Sequence, residues 1–216
     1  MPYFETSTST RVRVLPFIDL SYGAFFLSPI KGLGVNLSLA ENLTVSPAIA
    51  YRAARQERDD DSLEGTGDID ADATYGATIV YKIMPVMLSA KIFSGMSDGG
   101  TIADFGISVP VRITDEFGLL AGVVTQYADR RYNRTYYGIN AQQSANSDYE
   151  IYQPSAGLTN VSANLALSYR FRSNTSAMLF TRYKRFIGEA ADSPLVKAND
   201  DHQYSFGAMI IWSYTR

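Results

Sequence analysis

The stretch Val161 to Phe171, VSANLALSYRF, alternates without a break. Val161, Ala163, Leu165, Leu167, Tyr169 and Phe171 fall on one face of an extended chain. Ser162, Asn164, Ala166, Ser168 and Arg170 fall on the other. The same period of two recurs over residues 11–20, 32–39, 43–52, 68–82, 86–93, 103–113, 117–127, 176–186 and 204–214. Only in 176–186 is the choice of face ambiguous. A pattern of this kind confines the chain to antiparallel sheet with one apolar and one polar surface, and at 216 residues it predicts one all-β domain over 1–216.

The apolar surface must meet either a protein core or lipid. No apolar run approaches the roughly 18 residues of a membrane helix, but a transmembrane barrel leaves no such run because each strand faces lipid only at alternate residues. The polar faces carry mostly Ser, Gly, Ala and Asn with scattered Arg and Asp, which suits a crowded lumen better than a solvated sandwich surface. Aromatic side chains sit near the ends of the apolar faces, at Tyr51, Tyr81, Phe117, Tyr127, Tyr169, Phe171, Trp212 and Tyr214, as in interfacial girdles. The connections alternate in length. Short turns fall near Glu41-Asn42, Ile83 to Pro85, Thr114 to Glu116 and Ser173-Asn174, and long polar loops at about 55–67, 94–100, 129–157 and 189–201. These features predict an antiparallel up-and-down transmembrane β-barrel of ten to twelve strands, with short periplasmic turns and long extracellular loops, in the bacterial outer membrane. A soluble lipocalin-like barrel with the apolar face inside is the competing arrangement.

Composition removes other classes. With no cysteine there are neither disulfides nor thiolate metal sites. A net charge of -3 without a basic tract gives nucleic acid nothing to bind. The opening MPYFETSTST has neither the basic nor the apolar segment of an export signal.

Two segments carry a family resemblance. RRYNRTYYGINAQQSANSDYEIYQPSAGLTNVSANLALSYRF resembles the MltA-interacting protein (MipA)/OmpV family at Tyr136, Tyr137, Gly138, Ile139, Gln142, Ser147, Tyr152, Gly157 and Leu158. RFIGEAADSPLV is similar to that family at Gly188, Ala190, Ala191, Asp192, Ser193, Pro194 and Val196, and PYFETSTSTRVRVLPFIDLSYGAFFLSPIKGLGVNL follows the family's N-terminal order. In two respects the chain departs from the family's pattern: the family's further strand ahead of the position of Pro2 is not expected here, and Tyr214 is followed by Thr215 and Arg216 where an aromatic usually ends such barrels. The resemblance implies an outer-membrane scaffold joining a murein lytic transglycosylase to murein synthase. Some relatives are described as adhesins or osmotically regulated pores, so a narrow channel or ligand-entry barrel is the alternative. It implies no catalytic residue and no cofactor.

The residues themselves offer four candidate sites. His202, beside Asp200 and Asp201 and near Ser193 and Ser205, contains the groups of a hydrolase triad, but triads are spatial and a solvated loop histidine is the expectation. The run ERDDDSLEGTGDIDAD is acidic yet lacks the ligand order of a calcium loop, so no metal is expected. In TYYGINAQQSAN, Asn140 is placed to cap a short helix through Ala145. Tyr132, Tyr136 and Tyr137 would pack that loop over the barrel mouth, or contact a ligand there. Finally, inward basic residues Arg11, Arg13, Arg52, Lys82, Lys91, Arg112, Arg170, Arg182 and Lys184 outnumber the inward acids Asp19, Asp68, Asp70, Asp72 and Asp104. A lumen network of Arg52, Asp68, Asp70, Asp72, Asp104 and Arg112 is expected, because charges in a narrow lumen are costly unless paired or hydrated.

The alternation is directly testable. Leu165→Arg should cost roughly 2–4 kcal/mol in a lipid refolding titration, whereas Asn164→Ser, one residue away, should be nearly silent. Equal costs would refute the inside-out assignment.

Overall fold

The alternating stretches become strands wherever the structure, a computed structural model, describes them; it covers residues 20–29 and 31–212. The strands are β1 (Leu20–Tyr22), β2 (Phe25–Ser28), β3 (Gly32–Val35), β4 (Leu37–Ala40), β5 (Leu43–Arg52), β6 (Asp72–Ile83), β7 (Val86–Gly95) and β8 (Thr101–Arg112). They continue with β9 (Phe117–Ala128), β10 (Gly157–Arg172), β11 (Thr175–Phe186) and β12 (His202–Trp212). All pairings are antiparallel and spatial order follows chain order, with β3 and β4 both lying on β5. β3 and β4 are halves of one strand broken at Asn36. There the backbone N–H donates to the Ala24 carbonyl at 2.7 Å, and the side-chain oxygen accepts from Ser46 Oγ at 2.8 Å.

The sheet curls into an up-and-down barrel. Inward side chains from β7 through β12 line one shared cavity. Loops that a flat sheet would hold far apart also meet: Asn199 Nδ2, between β11 and β12, donates to Ser62 Oγ, between β5 and β6, at 3.0 Å. Among the described residues β1 and β12 are the sheet edges. Of the strand expected over 11–20, only Leu20 lies within the described residues.

The two faces divide as the period of two requires. In β10, Leu165 is 44% exposed on the outside while inward Ser162 is 0% exposed. Leu33, Ile49, Tyr75, Ile92, Phe105, Val123, Leu179 and Phe206 are likewise exposed on the outer face. So continuous an apolar surface is not one a protein presents to water. The ambiguous strand is resolved by its neighbours. Asn164 pairs with Arg182 and Ser162 with Lys184, which turns Met178, Phe180, Arg182 and Lys184 inward with the even positions of β10. Inside, glycine is matched to aromatic. A Cβ on Gly207 would sit 2.2 Å from the Phe180 ring, so that ring lies flat on the neighbouring strand's bare backbone.

The water-excluded core is at the mouth. Four helices fill the long connections: α1 (Arg130–Tyr137), α2 (Ala141–Asn146), α3 (Gly188–Asp192) and α4 (Pro194–Lys197). In α1 the spacing of Tyr132, Asn133, Tyr136 and Tyr137 places all four on one buried face, with Arg130, Arg131 and Arg134 on the other. Asp129 caps that helix by accepting from Tyr132 N at 2.7 Å. Asn140 caps α2, as its sequence position predicts, accepting from Gln143 N at 2.9 Å. One cluster joins Tyr132, Tyr136, Tyr137, Phe186, Ala190 and Val196; a second joins Leu63, Ile139 and Leu195. Gly100, at φ +65, lets the β7–β8 loop touch the start of α1, where a Cβ would lie 2.2 Å from Tyr132 N. The long loops are therefore a folded cap.

One expectation needs correction, and one element was not foreseen. The strand expected over 68–82 begins only at Asp72, because residues 68–71 run back against the preceding loop through the Arg55–Ile69 bridge. The β1–β2 hairpin, turning at Gly23 with φ +58, did not register as alternation because each strand is only three or four residues long.

The cap predicts its own weak point. Tyr137, the last residue of α1, is fully buried against Phe186, with ring centroids 6.1 Å apart. Tyr137→Ala should destabilise the cap by about 3–5 kcal/mol. Loops 129–157 and 187–201 should become protease-sensitive while the strand signal in circular dichroism is unchanged.

Candidate functional site

Where the strands enter the cap, Arg52 ends β5 directly opposite Asp72, which opens β6. The Arg52 guanidinium lies over the Tyr132 ring, 5.1 Å from its centroid, and donates through Nη1 to the Gly99 carbonyl. Asp72, 6% exposed, accepts from Ser97 N at 3.1 Å. Arg52 Nη2 and Asp72 Oδ2 are both shielded from water and have no hydrogen-bond partner. Both side chains therefore clamp the β7–β8 loop instead of each other.

The expected six-residue charge network is not brought together. Asp68 and Asp70 are exposed in the loop ahead of β6, where period-two parity no longer applies, and Asp68 accepts from Glu57 N at 2.8 Å. Asp104 accepts from Gln126 Nε2 at 2.9 Å, deeper in the barrel. Arg112 is exposed at the opposite rim and pairs with Asp115 at 2.6 Å. Among the described residues no ion pair joins any two of Arg52, Asp68, Asp70, Asp72, Asp104 and Arg112. The acidic run mostly caps itself: Asp59 accepts from Gln56 N at 2.8 Å, Asp60 from Ser62 N at 3.1 Å, and Glu57 from Gly67 N at 3.1 Å.

Tyr132, Tyr136 and Tyr137 are 4%, 7% and 0% exposed, inside the cap core. Tyr132 and Tyr136 stack at 4.4 Å. Sequence reasoning missed Arg55 beneath them. It is 5% exposed, donates to the Tyr136 carbonyl at 3.1 Å, and is pushed down to about 10 by burial, a shift the phenols of Tyr136 and Tyr137 partly oppose. The triad candidates separate. His202 Nδ1 lies 3.0 Å from Asp201 Oδ1, while Ser193 Oγ is buried and donates to the Tyr137 carbonyl at 2.6 Å. Ser205 faces the lumen. Hydrogen bonding to His202 holds the Asp201 carboxyl below the usual carboxylate range, with Arg185 assisting.

Below the cap lies a cavity of about 500 Å³. Its apolar lining includes Leu120, Val124, Ala166 and Phe180; its polar lining includes Asp104, Asn164, Arg182 and Ser205. Inward residues are buried at the cap end of β10 (Asn160, Ser162), half-buried in the middle (Asn164, Ala166, Ser168) and exposed at the turn end (Arg170, Arg172). The lumen is thus a blind chamber, filled at the loop end and open toward the short turns. Periodicity left the face of Arg182 ambiguous; its partner Asn164 turns it inward, where it borders a cavity also lined by Gly106 and Gly122.

The two family-like segments meet in the cap. Ser193 of the Ala-Ala-Asp-Ser-Pro stretch holds the end of α1, and Tyr152 Oη donates to the Glu189 carbonyl at 2.7 Å. Burial, and then the Glu189 and Asp192 carboxylates, push the Tyr152 phenol up to about 12. A phenol whose folded value lies above its ordinary 10.0 stabilises the fold fully below that pH, and the contribution is lost as pH rises through about 12. Tyr152→Phe should therefore remove one tyrosine from the high-pH end of a tyrosinate absorbance titration. Unchanged amplitude there would show that Tyr152 is not held in this way.

A family model described as MltA-interacting protein MipA matches residues 1–214. No curated protein matches the chain. Among solved structures, Pseudomonas aeruginosa OccK11 (OpdR) is similar at 13% identity and a TM-score of 0.39, over 73% of this chain and 38% of that one.

Proposed function

This chain belongs to the MipA family, and we propose that it serves in the bacterial outer membrane as a non-catalytic scaffold for murein-processing enzymes. The observation that carries this reading is the folded cap. Buried Tyr137, Ile139, Phe186, Leu195 and Val196 plug the loop end of the barrel, which removes the through-path an open porin needs. The outward apolar band supports a lipid setting. The family's description supports an MltA-type murein transglycosylase as partner, and a murein synthase would be the second. Such enzymes would work on the short-turn side, where Lys82, Arg112, Arg170 and Arg172 are exposed. A charged rim of this kind sets association rate and partner choice more than raw affinity.

A narrow channel is the second reading, favoured by the lumen cavity. One pair of measurements separates the two. Purified protein should show little steady conductance in a planar bilayer, and replacing residues 131–155 by a short linker should raise it severalfold. The unmodified protein should co-elute with an MltA-type transglycosylase, and Arg170→Glu with Arg172→Glu should weaken capture while leaving the barrel folded. Large conductance in the unmodified protein, with no co-elution, would replace the scaffold by the channel.

A further inference from the structure

We propose that the lumen chamber is a binding site for a small amphipathic organic anion, a carboxylate on an aromatic or short aliphatic body. Arg182 would be its charge partner and Phe180 its apolar wall. This goes beyond the scaffold reading and does not rest on it.

Arg182 projects inward from β11, opposite Asn164 of β10 and Ser205 of β12. Its Nη2 donates to Ser162 Oγ at 3.0 Å, while its Nε is shielded from water and has no hydrogen-bond partner. Among the described residues no carboxylate lies within ion-pairing distance of it. The guanidinium thus has a donor shielded from water and unanswered beside an open chamber, and its planar fork suits a carboxylate.

The acid in the same space is already answered. Among the described residues of β7 to β12 Asp104 is the one inward carboxylate, and Lys91 lies opposite it across the β7–β8 pair. Asp104 is engaged by Gln126 and sits nearer the cap. It pairs with Gln126, which pairs with Asn160, whereas Arg182 pairs with Asn164, four residues further from the cap along β10. A cationic ligand would meet repulsion here, and a neutral one would leave Arg182 unpaired.

The opposite requirement is also met. On the far side of Arg182 from the cap, Phe180, Leu120 and Ala166 present apolar surface to the same space. At about 500 Å³ the chamber is of small-molecule size, within the roughly 300–1,000 Å³ of ordinary ligand pockets. The cap closes one end, so the ligand enters from the short-turn side.

The test is a charge series on one ring, titrated calorimetrically into the full chain in zwitterionic lipid nanodiscs, with empty nanodiscs subtracted. Phenylacetate should bind saturably at one site, at least about tenfold more tightly than phenylacetamide or phenethylammonium. Arg182→Gln should lower phenylacetate affinity to that of the amide and leave the amide unchanged. Equal affinity across the series, no saturable binding of phenylacetate, or full phenylacetate affinity in a folded Arg182→Gln variant would overturn the proposal. Should that variant not fold, the series on the unmodified protein decides alone.

Discussion

A strand that turns one face to lipid and the other to a crowded lumen has few apolar side chains left for a core of its own. Leu165, Phe105 and Phe206 lie on the outer surface, and the inner wall is mostly Ser, Gly, Asn and a few charges, broken by Leu120, Val124, Ala166 and Phe180. Within the barrel wall, stability comes from the strand-to-strand run of ladder hydrogen bonds, which lipid cannot replace. Burial of protein against protein is possible only where the chain leaves the membrane. That is where it occurs: the fully buried Tyr137, Ile139, Phe186 and Leu195 all lie in or beside the long connections. The cap is the soluble-type domain of a membrane protein.

The segments that resemble the family behave accordingly. Outer-face positions need only be apolar, so Leu, Ile, Val and Phe serve alike there. The Ser193 hydroxyl that holds the Tyr137 carbonyl, and the Tyr152 phenol that holds Glu189, depend on particular atoms at particular places. Two of the family-like segments therefore meet in the cap, although the cap faces away from the side on which murein enzymes would stand.

Most of the barrel was legible in the sequence because period two is a property of the strand alone. β5 begins at Leu43 and ends at Arg52, the span its alternation marks. The limits were equally physical. Parity misassigned Asp68 and Asp70, since the chain ahead of Asp72 is not extended into the ladder and its side chains need not alternate across the wall. The face of β11 could be assigned only through its partner, because Met178, Leu179 and Phe180 are apolar in succession and give no local preference; Asn164 opposite Arg182 supplies it. Nothing local announces the lumen chamber, which exists because small residues on β8 and β9 face large ones on β11.

Phe180 lying over Gly207 has a bearing on how this family could diversify. The ring is held flat by a residue on the adjoining strand that contributes no side chain at all. Any methyl group or larger substituent at position 207 would lever the ring off the wall and into the space before it. The chamber's depth is thus governed by a position that never reaches its occupant. Drift at this one glycine could retune the size of guest admitted while every polar contact around Arg182 stayed as it is.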